Sequence, residues 1–191
     1  MGVTWKYDTM FNSTFTEQNL QDLLYDAGVE TIAVDYEPSD TYESLVEDLK
    51  ELATDVDYIM GYSFGCFLAI ASSTENTKGI ILLDPNAEIN HNQKKYIEDI
   101  ETANRFFERD LSTKNKNIGV VDRLIISPNK TKTLLLFSEW GNSNNSLCTN
   151  GMYLKFLGEK KKVVIKNSSH YVMLEPARYI LAKEIMEFIR A

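Results

Sequence analysis

One serine, one histidine and a small choice of carboxylates stand where they could act together on a carbonyl group. The serine is Ser63, in Gly61-Tyr62-Ser63-Phe64-Gly65. An apolar run ends just before it and a second begins at Cys66. A lone hydroxyl between two segments that both read as buried requires a sharp turn. The flanking glycines allow the close backbone approach that such a turn needs, and the serine itself must take a strained conformation. If a strand enters the turn and a helix leaves it, the hydroxyl is lifted out of the sheet edge. The helix then points backbone N–H groups at the same spot, where an oxyanion could be held. The five-residue pattern alone is expected by chance in about one chain in twenty of this length, so its strand–turn–helix setting carries the weight.

The chain has two histidines. His170 lies in Ser168-Ser169-His170-Tyr171-Val172-Met173-Leu174-Glu175-Pro176, between the last expected strand and the last expected helix. A neutral imidazole there can take the serine proton and return it to a leaving group. A third group, usually an acid, would fix its tautomer and stabilise the imidazolium. Asp84 ends the run Leu82-Leu83-Asp84-Pro85, and Glu139 stands in Phe137-Ser138-Glu139-Trp140-Gly141-Asn142. Asp84 is favoured over Glu139, and Asn142 is a third candidate that would orient the ring without charge. Each has a plainer reading: Ser63 as a small turn residue, His170 as a surface histidine, Asp84 as a turn cap.

The elements that must position these residues alternate between strand and helix. Strands are expected at Val3–Tyr7, Thr31–Asp35, Val56–Tyr62, Gly79–Leu83, Lys132–Phe137 and Lys162–Lys166. Thr16 reads as the cap of a helix carrying Leu20, Leu23, Leu24 and Ala27, with Gly28 as its stop. Asp40 and Glu43 suggest a capping box ahead of Tyr42, Leu45, Val46, Leu49, Leu52 and Ala53. A further helix is expected over Phe64–Ser72, and a last one from Glu175-Pro176, carrying Ile180, Leu181, Ile185, Phe188 and Ile189. Alternation with nearly continuous apolar strands predicts an α/β fold: a parallel sheet of about six strands with helices on both faces. Residues 86–130 interrupt the rhythm. A helical stripe over Ile97, Ile100, Ala103, Phe107 and Leu111 gives this insertion the look of a cap or lid. No repeat or linker divides the chain, so residues 1–191 read as one domain.

GYSFG after a strand, the order serine then histidine, and SSHYVMLEP together resemble the α/β-hydrolase family over most of the chain. The resemblance implies a three-layer fold of the reduced kind, without the two N-terminal strands of a full member. It also implies a Ser-His-acid triad that cleaves an ester-like bond. Members commonly carry the acid in a Gly-x-x-Asp pattern after the strand at 132–137, and no Asp stands there. Pancreatic-type lipases instead place it after the preceding strand, in a Leu-Asp-Pro like that of Asp84. The resemblance further implies an oxyanion hole from the N–H of Phe64 with Thr9 or Met10, although the His-Gly that members often carry near the second donor is missing.

The implied activity is hydrolysis of a carboxylic ester or thioester through an acyl-enzyme. An acyltransferase on the same fold is the neighbouring reading. A binding module that kept the fold and lost the chemistry is the reading from another class. A small-molecule acyl compound is the expected partner.

Composition narrows the remaining choices. The 191 residues suffice for one sizeable core, and the net charge of −8 argues against a nucleic-acid face. No apolar stretch reaches membrane-spanning length, and the first residues lack the pattern of a signal peptide, so a cytoplasmic protein is expected. Two cysteines make no disulfide scaffold, and Cys66 reads as a small buried hydrophobe. His91 stands alone, and no phosphate-binding or dinucleotide pattern occurs, so neither a metal nor another cofactor is expected.

Overall fold

The computed structural model describes residues 2–3, 18–34, 42–63, 65–85, 131–144, 149, 154 and 157–191. The expected cap at 86–130, and Thr9, Met10, Thr16, Asp40, Phe64 and His91, lie outside the described residues.

Strands β1 (Gly2–Val3), β2 (Tyr58–Tyr62), β3 (Gly79–Leu83), β4 (Lys132–Ser138) and β5 (Lys160–Ile165) form one sheet in the order β1-β2-β3-β4-β5. Every neighbouring pair is parallel. About six strands were expected. Of the strand expected at Thr31–Asp35 the structure describes residues 31–34, where only Ala33 makes a bridge, and Ile32 is 54% exposed rather than buried as a central strand residue would be.

Side chains alternate across the sheet and feed two cores. Ile59, Ile80, Leu82, Leu135 and Phe137 face one side, where they meet α2 (Tyr42–Ala53) and α3 (Gly65–Ser72). Met60, Tyr62, Ile81, Leu83, Leu134 and Leu136 face the other, against α1 (Leu20–Asp26) and α4 (Arg178–Arg190). A sheet covered on both faces needs runs that are apolar throughout, as Gly79–Leu83 is, and each fully buried Leu or Ile contributes about 1.5–3 kcal/mol over leaving it exposed.

Local chemistry sets the helix ends. The cap of α1 is Asn19, whose side chain accepts from the Asp22 N–H while the Asp22 carboxylate accepts from the Asn19 N–H. Gly28, at φ +86°, stops that helix as expected: its N–H reaches the Tyr25 carbonyl and the Val29 N–H reaches Leu24. Two residues expected inside are outside. Leu52 is 42% exposed, because the buried arc of α2 is completed by Leu45, Val46, Leu49 and Ala53. Ile180 is 48% exposed, on the side of α4 away from Leu181, Ile185 and Phe188. Pro176 precedes α4 instead of occupying its first turn. Among the described residues, no helix is long and apolar enough to cross a membrane.

Candidate active site

The C-terminal edge of the sheet collects the residues of interest. Tyr62 ends β2 opposite Leu83 of β3, and Leu83 in turn lies opposite Leu136 of β4. Ser63 and Asp84 are therefore the first residues past two adjacent strands. Both carry the ladder one step further, the Ser63 N–H donating to Leu83 (2.9 Å) and the Asp84 N–H to Leu136 (2.7 Å).

Ser63 has φ +52°. A non-glycine residue there is strained, and such strain persists only where the surroundings impose it. Gly61 shows how tight those surroundings are. A Cβ on Gly61 would stand 2.3 Å from the Gly65 carbonyl oxygen and 2.6 Å from the Cys66 Cα. Only a residue without Cβ lets α3 start this close to β2. Cys66 is fully buried, as expected, with its thiol on the Gly61 and Leu83 carbonyls.

His170 comes from the turn between β5 and α4. Its Nε2 lies 3.1 Å from the Ser63 Oγ, and its Nδ1 lies 2.6 Å from the Asp84 Oδ2. The turn is tied down around it. The Trp140 N–H donates to the Ser168 carbonyl, and the Ser169 N–H and hydroxyl both donate to the Glu175 carboxylate. The Tyr62 hydroxyl donates to the His170 carbonyl (2.7 Å), and the two rings lie 5.0 Å apart.

Asp84 has no exposed surface, and φ there is also positive, at +48°. Its carboxylate accepts the Ser138 N–H (3.0 Å) and the Asn142 N–H (3.1 Å) on Oδ1, and the Ser138 hydroxyl (2.5 Å) on Oδ2. A buried carboxylate is tolerable only with this many donors. Asn142 also ties down the backbone through its side-chain amide, which donates to the Asp84 and Pro85 carbonyls. Gly141 leaves the room, since a Cβ there would meet the Asp84 Oδ2 at 2.3 Å and the Ser138 Oγ at 2.4 Å.

The alternative acid, Glu139, turns elsewhere. One carboxylate oxygen takes the Lys166 ammonium (2.7 Å) and the other the Asn167 N–H (2.9 Å). These two hydrogen bonds, the lysine's first, hold its carboxyl below the usual range. Asn142 contacts Asp84 rather than the ring. The part played by Ser138 was missed from sequence, because a serine beside a strand end carries no mark of its partner. Among the described residues, no group of three His, Cys, Asp or Glu could hold a metal ion.

The fold has counterparts among solved structures. The RedJ thioesterase of the prodiginine biosynthetic pathway in Streptomyces coelicolor aligns over 88% of this chain and 79% of its own, with 13% identity and a TM-score of 0.64. Est1E from Butyrivibrio proteoclasticus aligns over 89% and 78%, with 16% identity and a TM-score of 0.58. YbtT, a type II thioesterase of the yersiniabactin NRPS/PKS pathway, aligns over 83% and 81%, with 12% identity and a TM-score of 0.57. The chain has an α/β-hydrolase fold. No family pattern and no curated protein sequence matches it.

Proposed function

We propose that the chain is a serine hydrolase that cleaves a carboxylic ester or thioester. The observation that carries this reading is the unbroken run of contacts from the Ser63 Oγ to His170 to Asp84, at 3.1 and 2.6 Å. Asp84 accepts a hydrogen bond from the Nδ1–H, which leaves Nε2 with its lone pair toward Ser63. Ser63 attacks the carbonyl carbon as its proton passes to Nε2. The imidazolium is stabilised by the buried carboxylate. It then protonates the leaving alkoxide or thiolate as the tetrahedral intermediate collapses to an acyl-enzyme. Water, activated by the same ring, releases the acid and restores Ser63.

The start of α3 at Gly65 supports the charge side of the mechanism, because a helix N-terminus favours developing negative charge. By its position in the pattern, the Phe64 N–H serves as one oxyanion donor, with Thr9 or Met10 as the source of the second. The thioesterase and esterase folds described above support an acyl substrate of small-molecule size.

A fluorophosphonate probe tests the reading directly. The native protein should be labelled at Ser63, and Ser63→Ala should abolish labelling. A folded protein that takes no label would instead be a binding module on a hydrolase scaffold. Product analysis with a competing alcohol or amine then separates hydrolysis from acyl transfer.

A further inference from the structure

We infer that Ser138 is a positioning residue that sets the basicity of His170 through Asp84; this rests on the reading of His170 as the base. Two short contacts converge on a single oxygen, the Asp84 Oδ2, which the Asn142 N–H also approaches at 3.4 Å. One is the His170 Nδ1 at 2.6 Å and the other is the Ser138 hydroxyl at 2.5 Å. Ser138 and Asp84 are both fully buried, so solvent does not compete for the hydroxyl's place on Oδ2. An ionised carboxylate only accepts, so the Ser138 proton points at Oδ2.

The consequence is electrostatic. A hydroxyl donor to Oδ2 draws on the same negative charge that stabilises an imidazolium at Nδ1. With the donor present, the ring is held less basic than the bare pair would make it, and the neutral form needed for attack is favoured. Without it, Oδ1 keeps the Ser138 and Asn142 N–H groups, while Oδ2 is left to His170 and the longer contact from the Asn142 N–H. The imidazolium then gains stability and the ring protonates at higher pH.

Among the described residues, the other groups facing this pair do not compete for the role. Tyr62 donates its hydroxyl to the His170 carbonyl, and the ring of Tyr171 stands edge-on to the imidazole at 5.8 Å. Glu175 is taken up by Ser169, and Glu139 by Lys166 and Asn167.

The two-histidine composition makes the test clean. In a His91→Gln background the one imidazole left is His170, and its ring-nitrogen NMR signals can be titrated in the folded protein without substrate. Ser138→Ala should raise the titration midpoint by about one pH unit. Ser138→Thr, which keeps the hydroxyl, should leave it near the parent value. If the alanine variant does not fold, Ser138→Cys, with a weaker donor in the same place, should give a smaller rise. An unmoved midpoint in a folded alanine or cysteine variant overturns the inference. Fluorophosphonate labelling of the same background keeps the two ideas apart. A shifted midpoint in a protein that takes no label sinks the hydrolase reading and leaves the Ser138 coupling standing. Normal labelling with an unmoved midpoint does the reverse.

Discussion

At the scale of single residues, the site turns on which carboxylate reaches the ring. Asp84→Asn should lower acylation by on the order of 10⁴-fold, because an amide at that position would hold the wrong imidazole tautomer. Glu139→Gln should leave the rate within about twofold, since its partners are Lys166 and Asn167. Burst kinetics with an activated ester would decide, and the opposite ranking would move the acid role to Glu139. Ser63, His170 and Asp84 stood out as candidates in the sequence because the first lies in GYSFG, the second is one of two histidines, and the third closes an apolar run before a proline. The shell around Asp84 could not. Two of its donors are backbone N–H groups, which every residue but proline owns, and the separation of Ser138 from Asp84 along the chain says nothing of their contact.

At the scale of elements, the junction between β2 and α3 is held open by a missing side chain. Gly61→Ala would put a methyl 2.3 Å from the Gly65 carbonyl, against backbone that cannot rotate away. The variant should lose about 1–3 kcal/mol of stability, the usual cost of overpacking, and Ser63 should label more slowly as the turn is displaced. Urea unfolding alongside labelling checks both, and a variant with parental midpoint and labelling rate would contradict the geometry. Strand β3 was legible to the residue because a glycine opens it and an Asp-Pro closes it. The start of α1 was less so. Both Thr16 and Asn19 are good capping types, and the reciprocal pairing with Asp22 is what marks Asn19 as the cap in use. The strand expected at Thr31–Asp35 had the β-branched residues of a strand, but burial decides pairing and Ile32 stays exposed.

At the scale of the whole molecule, two acid transitions should separate. Attack needs neutral His170, so activity should fall as the ring gains its proton and hold steady above that point. The Glu139 tether behaves differently. A carboxyl held below its usual range contributes stability above that range and loses it only as pH falls through the lowered folded value. Activity and the tightness of the His170 turn therefore answer to different groups, the ring and the Glu139 carboxyl. Rates and near-ultraviolet circular dichroism followed down the same pH series would test this. A simultaneous fall of both would mean that unfolding, and not the base, sets the limb. The alternation that marked the molecule as α/β was plain in the sequence. The pairing of the two faces with particular helices was not, because period-two alternation separates the faces without naming the helix that covers each.

The all-parallel pairing has a kinetic consequence. Gly2 must find Met60, and Gly79 must find Lys132, before the sheet exists. Such distant closures are slow, and no fragment of the chain carries Ser63, His170 and Asp84 together without them. Competence for acylation should therefore arrive last and all at once during refolding. A probe added at intervals after dilution from urea should begin to label only as the β4–β5 ladder acquires protection against amide exchange, since that ladder leads into the His170 turn. Labelling that ran ahead of this protection would mean that the nucleophile is assembled by local structure alone.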